Sequence, residues 1–267
     1  MFQRKTLARK VQLTGLGLHS GIPVTVAVHP SQDGIRFRLG SDRIQAIPEN
    51  VSETTRCTRL GTVSTIEHIM SAFAGLEITD AEVELNAPEL PGLDGSSQVY
   101  VEQFLEAGFE LCGEEPVPSL YRRIFLQETH CNIAVAKGSG HWRYVYDAGS
   151  RWPGTQSFES GSVIRDYGKE IAPARTFALE EELPMIRQAG LGKGLDESSA
   201  LLLGQEGYMN VARFPDEPAR HKLLDLIGDL YLAGIPIGIL SVVSEKSGHT
   251  ANVKAAAMLR QAIHATG

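Results

Sequence analysis

The chain has 267 residues, enough for one large domain or two of ordinary size, and 42% of them are hydrophobic against 21% charged. That balance excludes a disordered chain, a collagen-like repeat and a coiled-coil rod. A net charge of -7 with no basic cluster argues against a nucleic-acid polymer or an anionic membrane as partner, while leaving local cations for a phosphorylated small molecule.

Cys57, Cys112 and Cys131 are widely spaced and odd in number, so they form neither a disulfide framework nor a thiolate zinc site and suit a reducing cytoplasm. The first residues lack the apolar stretch of an export signal. The most apolar run, Leu230 to Val243, is about 14 residues and contains Pro236, where a spanning helix needs about 20. A cytoplasmic protein with no transmembrane span is expected.

In chain order, the alternation of Lys10–Leu13, Val24–Val28 and Ile35–Leu39 predicts an antiparallel sheet with one wet face. A helix follows from Ser64 to Ala74-Gly75, then a strand over Ala81–Leu85, a turn from Pro88 to Gly95 and a helix from Ser97 to Ala107. The polar segment Gly113–Ser119 carries two prolines and reads as a linker. Beyond it come strands near 120–127, 131–137 and 141–147, a poorly patterned stretch, a helix from Pro215 to Ala233, a strand from Ile235 to Val243 and a last helix to His264. The order of sheet, helix, Ala-Gly, strand, glycine turn and helix occurs twice, which predicts structural duplicates over 1–114 and 119–267. Gly95-Ser96 then corresponds to Gly248-His249, and only the second copy has a titratable group at that turn.

The Pro215 helix carries the most chemistry. At about 100° per residue, His221, Asp225, Asp229 and Lys222 fall within one stripe of about 100°, opposite Leu223, Leu226 and Leu230. The stripe is either a solvated face or a metal site, since His and Asp at i and i+4 reach one cation. Ser64 and Glu67 have the spacing of a capping box, and His68 alone could be a core histidine; the functional alternative makes His68 a ligand and Glu67 a base. Neither zinc-protease helix motif is present. His249 opens a helix, where the macrodipole disfavours a cation and Ser, Thr or Asp would serve better as a cap, so it is either a surface cap residue or a functional histidine. Gly15–Gly21 reads as a hairpin and Gly190–Gly194 as a flexible loop, since neither has a nucleotide-binding spacing.

Thr14-Gly-Leu-Gly-Leu-His-Ser-Gly21, Ser64-Thr-Ile-Glu-His68, Leu85-Asn-Ala-Pro-Glu-Leu-Pro91, Asp94-Gly-Ser96, Ala174-Arg-Thr-Phe177, Arg220-His-Lys-Leu-Leu-Asp-Leu-Ile-Gly-Asp229 and Lys246-Ser-Gly-His249 closely resemble, in order, blocks of the UDP-3-O-acyl-N-acetylglucosamine deacetylases. Those enzymes commit the lipid A pathway of Gram-negative bacteria. The resemblance implies an α+β fold of two duplicated two-layer βα sandwich halves, like ribosomal protein S5 domain 2, with the active site between them. It implies one zinc ion per chain held by His68, His221 and Asp225, Glu67 as base, His249 as acid oriented by Asp229, and Thr176 and Lys222 stabilising the developing oxyanion. His19, Phe177 and Lys246 match substrate-lining positions, Lys246 as a phosphate contact. A divergent substrate-binding insert is expected near 146–170. The implied partner is a UDP-acyl-sugar, whose lipid tail could draw the protein transiently to the inner membrane. Three alternatives stand at this point: a zinc deacetylase of another N-acetylated sugar, a non-haem iron oxygenase with the same two-histidine, one-carboxylate triad, and a non-catalytic binding protein.

Overall fold

The structure, a computed structural model, describes residues 1–264. The first half contains β1 (Phe2–Leu7), β2 (Val11–Leu16), β3 (Pro23–His29), β4 (Ile35–Leu39), β5 (Asp42–Gln45), β6 (Val51–Glu53), β7 (Arg59–Leu60), α1 (Glu67–Gly75), β8 (Ala81–Leu85), α2 (Gln98–Ala107) and β9 (Phe109–Glu115). The second half begins with β10 (Ile124–Gln127), β11 (Asn132–Lys137), β12 (Trp142–Asp147) and β13 (Thr155–Ser160). It continues through α3 (Val163–Asp166), a π-helical turn over Tyr167–Ile171, β14 (Phe177–Leu179), α4 (Leu183–Gln188) and β15 (Leu201–Leu203). It closes with α5 (Glu217–Tyr231), β16 (Leu240–Glu245) and α6 (His249–His264).

The duplication is visible in the strand order. One five-stranded sheet runs β2-β3-β8-β4-β5 and the other β10-β11-β16-β12-β13. In each, the strand after the central helix inserts between the second and third strands, antiparallel to one and parallel to the other. Alternation sets which face is covered: Ala81, Val83 and Leu85 of β8 point into the core, while Glu82 and Glu84 point out. The helices of the two halves meet in the middle, with α1 against α5, so the order of layers is sheet, helices, helices, sheet.

Small residues permit that central contact. Every residue of α1 is buried, and a Cβ on Gly228 of α5 would lie 2.1 Å from the Glu67 carbonyl oxygen of α1. Nearly all of α5 is buried, including His221, Asp225 and Asp229, so its polar stripe is not a solvated face. A stripe of buried charge must find partners or a cation.

The fold corrects several sequence expectations. Helix α1 starts at Glu67, three residues after Ser64, and no side chain caps it. The strand expected from Ile235 begins at Leu240, because Pro236 lacks a ladder donor and Ile237–Ile239 coil into a 3-10 turn. The linker expected from Gly113 is strand β9 as far as Glu115, paired antiparallel to β1, and the irregular connection runs from there to Ile124. Main-chain pairing with a distant strand overrides the local Gly and Glu signals.

Candidate metal centre and active site

The contact between α1 and α5 brings His68, His221 and Asp225 together. One donor atom from each lies within 4.8 Å of the others, the one such group among the described residues. Asp225 Oδ1 is 3.4 Å from His221 Nε2 and 3.7 Å from His68 Nε2. Donors on a tetrahedral metal ion sit about 3.3 Å apart, close to both of these separations, so the group could hold one ion. That same Oδ1 is buried with no hydrogen-bond partner, a costly state that a cation relieves. His221 Nδ1 lies 3.1 Å from the Ala174 carbonyl, to which it donates as Nδ1–H, leaving the Nε2 lone pair toward the cluster.

Electrostatics agree with that arrangement. Burial, aided by the neighbouring His221, pushes the His68 imidazole down to about 3, and burial lowers His221 as well. Both are therefore neutral and able to ligate. Burial works against the Asp225 charge, yet His221 and Lys222 hold its carboxyl well below the ordinary range.

Glu67 is the residue before His68 on α1. Its carboxylate does not close a capping box: Oε2 accepts the Thr58 N–H at 3.0 Å, and Ser64 Oγ instead accepts from Arg59 Nε at 2.8 Å. Burial pushes the Glu67 carboxyl up to about 7, with Asp229 and Asp225 adding to the rise against the pull of His249. His249, at the first position of α6, hydrogen-bonds through Nδ1 to Asp229 Oδ2 at 2.9 Å. Burial opposes its charge, but the Asp229 carboxylate prevails and raises the imidazole to about 9. The carboxylate partner demanded by a histidine at a helix start is thus supplied by a helix packed across it.

A cleft of about 400 Å³ opens onto the cluster, lined by Glu67, His68, His221, Asp225, His249, Lys222, His19, Thr176 and Phe177. Thr176 is fixed in its main chain, its N–H donating to Gly95 O at 2.7 Å and its carbonyl accepting from Leu201 N at 2.9 Å. The approach requires glycine at 95: φ is +76°, and a Cβ would lie 1.6 Å from the Ser199 carbonyl oxygen. Lys222 Nζ donates to Asp225 Oδ2 at 2.9 Å and stands 5.5 Å from the Phe177 ring centroid. His19 is held by main chain, since Glu89 accepts its N–H at 2.7 Å and the Ser20 N–H at 2.9 Å, while its Nδ1 is buried and unpartnered. Lys246 is not among the cleft residues; its ammonium donates to Asp147 Oδ2 at 2.9 Å.

The stretch 146–170, expected to hold the substrate-binding insert, has no residue lining the cleft directly, though Tyr146 packs edge-on against the lining residue Phe177 at 5.3 Å between ring centroids. It forms the end of β12, the edge strand β13, α3 and most of the π-helical turn, packed on the second sheet and α1. The apolar wall comes from 177–202, through Leu183, Ile186, Leu191, Leu195 and Leu202. Sequence reasoning also left Glu89 and Thr58 without a role. Glu89 lay inside a quoted motif; Thr58 carried no local signal, because its partners are 9 and 171 residues away.

The buried triad, flanked by a carboxylate and a charged histidine, fits the class of metal-dependent hydrolases. Comparison with known proteins narrows the class. The profile of the UDP-3-O-acyl N-acetylglycosamine deacetylase family matches residues 4–261, and the chain belongs to that family. It is similar to the UDP-3-O-acyl-N-acetylglucosamine deacetylase of Francisella tularensis subsp. tularensis strain WY96-3418, at 33% identity over 277 residues and 95% of each chain. The enzymes of the same name from Chlamydia felis and Chlamydia muridarum are each 35% identical, covering 94% of this chain and 94% and 92% of theirs.

Proposed function

We propose that this protein removes the N-acetyl group of UDP-3-O-acyl-N-acetylglucosamine by hydrolysis, releasing acetate, as a cytoplasmic step of lipid A biosynthesis. One zinc ion per chain would be held by His68, His221 and Asp225. The observation that carries the reading is the convergence of a neutral two-histidine, one-carboxylate set with a base and an acid around one cleft. Held there, the ion would supply Lewis acidity, lowering the pKa of a water and polarising the amide carbonyl.

The chain's own residues account for the proton movements. Glu67, its carboxyl raised by burial, takes a proton from the attacking water at its carboxylate. Lys222 and Thr176, on the same cleft wall, stabilise the negative charge that grows on the carbonyl oxygen. His249 enters charged and gives its proton to the departing sugar nitrogen, while Asp229 keeps the ring oriented and protonated until that moment. His19 and Phe177 serve as substrate walls at the cleft. Lys246 reaches a phosphate by exchanging Asp147 for it. The leucine-rich wall over 177–202 suits an acyl chain, which supports an acylated substrate over another N-acetylated sugar.

The test is acetate release from UDP-3-O-acyl-N-acetylglucosamine beside its non-acylated counterpart, each with and without chelator. Turnover of the acylated compound that is lost with chelator supports the proposal. Equal turnover of both transfers the substrate assignment to the broader N-acetyl-sugar class, and activity indifferent to chelator removes the metal. No helix among the described residues is long and apolar enough to cross a membrane. Contact with the inner membrane would come through the substrate's tail, and equal activity with substrate in vesicles and in detergent-free solution would argue against it.

A further inference from the structure

Thr58 lies in the loop between β6 and β7 of the first half, fully buried. Its N–H donates to Glu67 Oε2 at 3.0 Å, and its hydroxyl donates to Asp229 Oδ1 at 2.6 Å. The other oxygen of Asp229 accepts from His249 Nδ1 at 2.9 Å and Asn252 Nδ2 at 3.0 Å. Glu67 belongs to the first half, whereas Asp229 and His249 belong to the second. One residue therefore holds both the base and, through the carboxylate, the acid, across the joint between the halves.

We propose that Thr58 is a positioning residue that fixes the separation and orientation of Glu67 and His249. The inference rests on the roles given to those two groups above. Without the Thr58 hydroxyl the Asp229 carboxylate is held through one oxygen only, by His249 and Asn252, so it can tilt about its last torsion and the imidazole bonded to it moves with it. Productive proton transfer needs the donor aligned within hydrogen-bond reach, so a small rotation lowers the rate of the chemical step while leaving the binding walls intact. A threonine kept only for packing would be replaced without kinetic consequence by valine, which has nearly the same shape and retains the N–H that binds Glu67.

Thr58→Val and Thr58→Ser test this in the full chain loaded with zinc. The valine variant should lose about 10- to 100-fold in kcat, the effect of one hydrogen bond to a charged group, with KM within about twofold and zinc content unchanged. The serine variant should recover kcat to within about threefold of wild type. Independently of any substrate, the Nδ1–H proton of His249 in histidine-labelled protein should give a downfield resonance that is shifted or broadened by valine and restored by serine. Valine that leaves both kcat and that resonance unchanged overturns the proposal, as does a loss that serine fails to restore. If wild-type protein does not turn over the acylated nucleotide sugar, the substrate assignment fails, and the resonance decides the role of Thr58 alone.

Discussion

Asp229→Asn isolates the interaction on which the acid role proposed for His249 depends. In the wild type, burial opposes the charge of His249, yet the carboxylate 2.9 Å away raises the imidazole from 6.5 to about 9. That difference is about 3 kcal/mol in favour of the protonated form. Asparagine offers an acceptor of similar shape without the charge, so burial then dominates and His249 falls below 6.5. The sign follows from the role: a general acid works below its pKa, so the basic limb of kcat/KM against pH moves down by two or more pH units relative to wild type. At pH 8 the variant should retain about a tenth or less of wild-type activity. The same pairing is a stability contribution, fully present below 6.5 and lost as pH rises through about 9. A basic limb left in place by the substitution would refute the assignment of the acid.

Glu67→Gln should keep about one zinc per chain and lose about 100- to 10,000-fold in turnover, read by metal analysis beside acetate release. Burial raises the Glu67 carboxyl and a bound cation lowers it again, so activity should rise with pH along an acidic limb below about 7 that is absent from Glu67→Gln. Asp225→Ala should abolish zinc retention on dialysis, and a variant that keeps the metal would exclude this carboxylate as a ligand. Gly228→Ala, whose new Cβ meets the Glu67 carbonyl at 2.1 Å, should cost about 1–3 kcal/mol. At about 2–4 °C per kcal/mol this is a fall in Tm of several degrees, and an unchanged Tm would contradict the close approach of α5 to α1.

How the site could be read depended on the range of each interaction. The stripe of His221, Asp225 and Asp229 follows from helical periodicity, and the need of a charged His249 for a carboxylate follows from its place at a helix start once the resemblance makes it an imidazolium. Which carboxylate it finds follows from neither. Ser64 and Glu67 show the opposite case, since a correct spacing suggested a cap that the chain does not form. Once Thr58 and Arg59 are folded back onto the helix start, they satisfy the two side chains first. The source of the cleft's apolar wall was equally hidden, because 177–202 and 146–170 are both irregular in pattern and differ only in what they are packed against.

The amino-acid order by itself determined the two alternating strand sets, the central amphipathic helix and the repeated sequence of elements, because these rest on periodicities of two and 3.6 residues that each segment carries alone. The tertiary structure decided that α5 is buried rather than solvated, that residues 68 and 221–225 share one point in space, and that Thr58 spans the joint. Those outcomes depend on two helix layers closing face to face at Gly228, a contact between segments about 160 residues apart that no local preference encodes.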